Sequence, residues 1–188
     1  MSTVRYEPAA TATFKALRTS TNRGVAAAGV TSIEDGTNRL HQTILTVNTT
    51  LPAIAGGASL GVGKLLYTFP AGNIIVDSAY MSMAVTQTQG HINANTPGVG
   101  VGTVVASGVV ADITGTATFE NVLVNTAAAN CTGTSTVLTA IPTGAVPLVI
   151  KAADAHTVYF NAAAAWAASG DAAALLTGTV IINWEFFA

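Results

Sequence analysis

The chain has 188 residues, half of them hydrophobic and 9% charged, with a formal net charge of −2. An ordinary soluble domain carries about 25% charged residues, so this surface is bland and suits packing against copies or partners. There is no basic excess for nucleic acid, and the lone Cys131 excludes an intrachain disulfide or a thiolate metal cluster.

The length favours one domain, and folding is expected to bury about 70% of the unfolded chain's surface. Charge divides unevenly. Arg5, Lys15, Arg18, Arg23 and Arg39 against Glu7, Glu34 and Asp35 give the first forty residues +2; Lys64 and Lys151 against six acids give the rest −4. Residues 1–39 accordingly read as an N-terminal arm, extended or partly helical (about 8–18), that binds a partner. Residues 40–188 read as a single β domain that folds without it. Arg5, Glu7 and Lys15 interrupt any signal-peptide core. No stretch reads as membrane-spanning, because Thr, Gln, Asn, Gly and Pro punctuate the uncharged region 78–111. Asn48-Thr49-Thr50 and Asn130-Cys131-Thr132 fit the glycosylation sequon but read as turn residues in a chain without a secretion signal.

A first strand is predicted over 41–47. Residues 64–85 then read as a hairpin, two strands folded back around Phe69-Pro70-Ala71-Gly72-Asn73, with Pro70 second and Gly72 fourth in a type I turn. Leu65, Tyr67 and Phe69 should share one face, and Ile74-Ile75-Val76 should be buried on both sides. From Ser78 the pattern alternates, with Ala79, Met81, Met83 and Val85 opposite Ser78, Tyr80, Ser82 and Ala84. Residues 87–97 form a polar excursion. Over 99–106 a strand carries Gly100 and Gly102 on one face, which implies close approach by another backbone. Further strands are expected at 118–124, 134–140, 146–151 and 156–161, a loop with one helical turn at 161–175, and a closing strand where Val180, Ile182, Trp184 and Phe186 alternate with Thr179, Ile181, Asn183 and Glu185. Short strands separated by turns, with no βαβ alternation, define an all-β antiparallel sandwich, jelly-roll-like.

No catalytic constellation emerges. Gly57-Ala58-Ser59-Leu60-Gly61-Val62-Gly63-Lys64 resembles a phosphate loop, but Ala58 replaces a required Gly and Leu65 a required Ser or Thr. The sequence after it alternates as a strand, where phosphate binding needs a helix. His41, His91 and His156 lack paired metal-ligand spacing. Asp154 lies near His156 with no nucleophile motif to serve. Asp77, Asp112, Glu120 and Asp171 offer no distinguished pair for glycoside chemistry. The reading is therefore a non-enzyme without cofactor or metal. Tyr80 and Trp166 are aromatic candidates for an oligomer interface or, on the rival reading, for glycan contact.

LLYTFPAGNIIVDSAYMSMAV (65–85), TPGVGVGTVVASG (96–108), AHTVYFNAAAAW (155–166) and GTVIINWEF (178–186), taken in order, resemble the head decoration (cement) proteins of tailed bacteriophages and related jelly-roll virion proteins. The resemblance covers most of 40–188. It implies a structural subunit on the virion capsid surface, made in the host bacterial cytoplasm. Such a subunit is a homotrimer that bridges major capsid proteins and contacts neither nucleic acid nor membrane. Arg5, Tyr6, Phe14, Lys15, Arg18 and Arg23 of the arm are the partner-binding candidates, and Tyr80 and Trp166 those for the oligomer interface. A tail-associated receptor- or glycan-binding domain is the alternative.

Overall fold

A computed structural model describes residues 22–55, 60–86, 98–108, 113–127, 136–140, 147–163 and 173–187. Its strands are β1 (Val25–Ala26), β2 (Val30–Gly36), β3 (Leu40–Leu51), β4 (Gly61–Thr68), β5 (Asn73–Thr86), β6 (Gly98–Gly102), β7 (Leu123–Ala127), β8 (Thr136–Ala140), β9 (Leu148–Ile150), β10 (Thr157–Ala163) and β11 (Ala174–Phe187). Two 3₁₀ turns, Ile113–Gly115 and Ala117–Phe119, stand between β6 and β7. A small sheet has the order β1-β4-β10-β6-β7. A large sheet has the order β2-β3-β11-β5-β8, with β9 also paired to β5. Every pairing is antiparallel. The protein is an all-β sandwich, as its alternating apolar pattern requires.

The core lies between the sheets. Leu45, Val47, Met81, Met83, Val180, Ile182 and Trp184 of the large sheet meet Leu66, Tyr67, Val99, Val101, Val158 and Phe160 of the small one. β11 runs down the middle of the large sheet, paired with β3 on one side and β5 on the other. Its period-two pattern buries Leu176, Val180, Ile182 and Trp184 and turns the residues between them outward. The second half of β5 alternates as its sequence demands, with Ala79, Met81, Met83 and Val85 buried.

Residues 64–85 do not form a hairpin. β4 belongs to the small sheet and β5 to the large one, so the Pro70–Gly72 turn is a corner that carries the chain across the core. Gly72 takes a positive φ of 143° there, and a Cβ would collide with the Phe186 ring. Crossing the core also explains why Phe69, at the corner, is buried beside both sheets. Ile74 and Val76 are buried, but Ile75 lies on the outer side opposite Val149, so this run alternates instead of being enclosed on both faces.

A bulge changes the face expected for Leu65. Tyr159 pairs with Leu65 and Val158 with Tyr67, which leaves Leu66 without an opposite number. Leu66 and Tyr67 therefore both point into the core while Leu65 does not. The expected boundary at residue 39 also moves. β1 joins the edge of the small sheet and β2 that of the large one, with Val30 in the core, so residues 25–36 belong to the sandwich. The remainder of the arm, 1–21, lies outside the described residues, with the short helix expected at 8–18.

The strand expected over 99–106 ends at Gly102. Beyond it, Asn161 of β10 gathers the backbone: its Oδ1 accepts from Ala106 N–H at 2.8 Å, and its Nδ2 donates to the Val104 and Phe119 carbonyls at 2.9 and 2.8 Å. A Cβ on Gly102 would overlap Thr118 and Phe119 backbone, which meets the expectation of a close backbone neighbour. Of the predicted strand 118–124, only Leu123 and Val124 are in a strand, β7; Thr118 and Phe119 end the second 3₁₀ turn, with Phe119 packed into a small satellite core with Ala106, Ile113 and Ala163. Most of the loop predicted over 161–175 falls outside the described residues, but its ends are the last turn of sequence in β10 and the start of β11.

Candidate functional site

Antiparallel sheets commonly pack one face and leave the other to solvent or a partner. In the large sheet the registers place outward residues of β2, β3, β11 and β5 in transverse rows. One row is Ile33–Ile44–Ile181–Tyr80 and the next is Thr31–Thr46–Thr179–Ser82. Ile33 and Tyr80 at the two ends of the apolar row are 58% and 42% exposed. Four strands span about 14 Å at ordinary spacing, so these rows make an uncharged patch with an aromatic at one side. That is the composition of the middle of a protein interface, where charge is depleted and Tyr enriched.

The third row is polar and tied together. Gln42 Nε2 donates to Asn183 Oδ1 at 2.9 Å, and Asn183 Nδ2 donates to Ser78 Oγ at 2.9 Å. Asp35 continues the row on β2. Charge gathers beyond it. Asp77 is the unpaired residue of a bulge opposite Asn183 and Trp184, and burial together with the nearby Glu185 carboxylate raises its carboxyl above the usual range. A shallow depression of about 390 Å³ lies between Asp35, Leu40, Gln42, Asp77 and Asn183. Glu185 is engaged by Arg39, whose Nε and Nη2 lie 3.1 and 3.0 Å from Oε2 and whose guanidinium covers the Phe187 ring at 4.4 Å.

Beneath this end of the sheet sits a buried polar cluster. Glu34, facing inward from β2, accepts from Tyr67 Oη at 2.5 Å and meets His41 Nδ1 at 3.0 Å. Tyr67 Oη in turn accepts the Gly24 N–H at 2.9 Å. The His41 ring stacks on Trp184, and Trp184 Nε1 donates to Thr43 Oγ1 at 2.9 Å. Burial, then the hydrogen bond and charge of Glu34, push the Tyr67 phenol well above its ordinary range. A carboxylate beside an imidazole is the orienting half of a hydrolytic triad. Here Glu34 and His41 are sealed from solvent, and no hydroxyl or thiol nucleophile touches His41 Nε2 among the described residues. The pair is built as a structural knot.

The structure separates the other sequence candidates. His156 Nε2 bonds the Gly72 carbonyl, while Asp154 caps the Lys151 N–H, so the two do not act together. Glu120 accepts from Asn125 N–H beside the small sheet, far in the architecture from Asp77. Lys64 lies within β4, not at a helix start. Among the described residues no three His, Cys, Asp or Glu side chains are arranged to hold a metal ion, and no helix is long and apolar enough to cross a membrane. Tyr80 is on the uncharged face, and Arg23 is exposed just before Gly24. Arg5, Tyr6, Phe14, Lys15, Arg18 and Trp166 lie outside the described residues, with His91, Asp112, Cys131 and Asp171. The row from Ile33 to Tyr80 and the Glu34 cluster escaped the sequence reading because both unite residues of different strands. Only the alternation of β5 and β11 signalled part of the outer face.

Comparison of the chain with protein-family models, with curated proteins and with solved structures finds no match.

Proposed function

We propose that the chain is a structural subunit of a bacteriophage virion that decorates and stabilises the capsid, bridging major capsid proteins as a homotrimer. The observation that supports this reading is the uncharged outer face of the large sheet, Ile33–Ile44–Ile181–Tyr80 beside Thr31–Thr46–Thr179–Ser82. An uncharged face of this kind gains little from solvent and much from burial against another protein surface. The sequence resemblance supplies the kind of assembly. A trimer that touches the lattice at several points converts modest individual contacts into firm attachment, and each interface added across capsomer junctions resists outward pressure from packaged DNA.

The test is to mix purified protein with heads lacking it and to image them. Ordered density at capsomer junctions, as trimers, is the expected result. Failure to bind any capsid lattice overturns the proposal, and density confined to the tail replaces it with the receptor- or glycan-binding reading.

A further inference from the structure

Edge strands ordinarily avoid pairing with other chains by being short, bulged or interrupted, or by carrying Lys or Pro. Three of the edges of this sandwich follow that rule. β1, at one end of the small sheet, is two residues long. β7, at the other end, has a register break against β6 between Val99 and Val101. The far edge of the large sheet is divided between β8 and β9, which meet separate parts of β5. β2 differs from all three. It is seven residues long, runs in unbroken register with β3, and contains no Lys, Arg or Pro. Thr31, Ser32 and Ile33 are exposed along it, and the Glu34 carboxylate is turned inward to Tyr67 and His41.

The backbone of β2 has a free side. Asn48 N–H donates to the Gly29 carbonyl at 2.8 Å, and Thr37 N–H to the Leu40 carbonyl at 2.8 Å. Hydrogen-bonded pairs alternate along an antiparallel ladder, so those of β2 with β3 fall at Thr31, Ile33 and Asp35. Ser32 and Glu34 turn their N–H and C=O groups the other way, where no strand pairs with them among the described residues.

That free side is self-complementary. Two copies of β2, laid antiparallel about a two-fold axis, overlap along their whole length when Ile33 meets the partner's Ile33. In this register Ser32 and the partner's Glu34 exchange backbone hydrogen bonds. Ile33 falls at a non-hydrogen-bonded position, where facing side chains stand closest. Asp35 faces the partner's Thr31, so like charges do not oppose each other; an axis at Asp35 would set two carboxylates together and shorten the overlap. The row Ile33–Ile44–Ile181–Tyr80 then continues across the axis into its own copy. We propose that β2 is a self-pairing edge, through which two copies of the chain join their large sheets into one continuous antiparallel sheet. The contact joins subunits in twos, so it is additional to the trimer contact of the virion reading and does not rest on it.

The experiment is disulfide trapping in the full chain with Cys131→Ser as background, using oxidised glutathione and reading covalent dimers on denaturing gels. Ile33→Cys should cross-link to itself, because the paired positions lie within disulfide reach. Asp35→Cys alone should not, whereas Asp35→Cys mixed with Thr31→Cys should. Adding Ser32→Pro removes an outward N–H that β3 does not use. It should keep the circular dichroism of the fold and slow the Ile33→Cys cross-link roughly tenfold or more, as expected for one or two lost hydrogen bonds. Adding Ile181→Lys should leave the cross-link in place, which separates this edge from the outer-face contact. If Ser32→Pro does not fold, the pattern of the three cysteine positions decides alone. No cross-link from Ile33→Cys, equal cross-linking from Asp35→Cys alone, or a cross-link that survives Ser32→Pro or disappears with Ile181→Lys overturns the proposal.

Discussion

His41 lies flat against Trp184, with ring centroids 3.9 Å apart and planes 11° from parallel. Phe69 meets the same indole edge-on at 5.1 Å, and Tyr67 meets Phe69 edge-on at 5.3 Å. Trp184 thus joins the polar cluster to the apolar core. Trp184→Phe removes the indole N–H from Thr43 and leaves space under His41. It should cost about 2–4 kcal/mol, within the range for a large aromatic cut down in a core. Urea unfolding followed by circular dichroism measures this.

Tyr67 gives the protein an alkaline limit. Its phenol is held protonated in the folded state by burial and by the neighbouring carboxylate. The unfolded chain releases that proton near pH 10. The stabilisation is therefore complete below about pH 10 and is lost as pH rises above it, at about 1.4 kcal/mol per pH unit for one proton. Tyr67→Phe should be less stable at neutral pH by about 1–3 kcal/mol, through the lost hydrogen bonds to Glu34 and Gly24. Its stability should fall less steeply above pH 10, as read from denaturation curves taken along the pH series.

Asp77 works in the opposite quarter of the pH scale. Its raised carboxyl means that the folded protein binds this proton more tightly than the unfolded chain does. The associated stabilisation is present below the ordinary carboxylate range and is lost as pH rises through the raised value. Asp77→Asn should accordingly be more stable than the parent at pH 7, and the difference should vanish in acid. Paired thermal melts at the two conditions check the sign.

Deleting residues 1–39 should not leave an intact body. The truncation takes away Val30 from the core and Glu34 from its buried partners, so Tyr67 and His41 lose their acceptor inside the sandwich. Leaving buried donors unmet costs several kcal/mol in total at about 1–3 kcal/mol each. The truncated chain should melt well below the full one, or fail to fold, in calorimetry.

The outer face can be tested without touching the core. Ile181 points away from the buried Val180 and Ile182 on β11, between Ile44 and Tyr80. Ile181→Lys puts a charge in the middle of the uncharged rows. It should leave the fold intact, and on the proposed homotrimer reading it should abolish trimer formation, which sedimentation velocity would report.

The sequence made the sandwich legible because alternation in β5 and β11 has one physical cause, a sheet with one packed face. Pro70 and Gly72 announced a turn correctly, but a tight turn serves a hairpin and a corner equally well, and only the partners of β4 and β5 distinguish them. The bulge at Leu66 has no local signature, yet it is what turns Tyr67 into the core. Val30–Gly36 looked like part of an arm because, as an edge strand, it exposes Thr31, Ser32 and Ile33 in succession. Glu34 and His41 were visible as single residues. Their union depends on the β2–β3 register and on Tyr67 arriving from the other sheet.

The central place of β11 also sets when this protein can fold. Its fourteen residues separate β3 from β5, two strands made far earlier on the ribosome. Until β11 has emerged, β3 and β5 each keep one edge bare, with β2 alone beside β3 and β8 and β9 beside β5. The large sheet must assemble after synthesis of this segment, through contacts between distant parts of the chain, at the slow rates such topologies impose. During that interval the nascent chain is at its most prone to pair with the wrong strand, and holding it back from its neighbours would fall to the cell's chaperones.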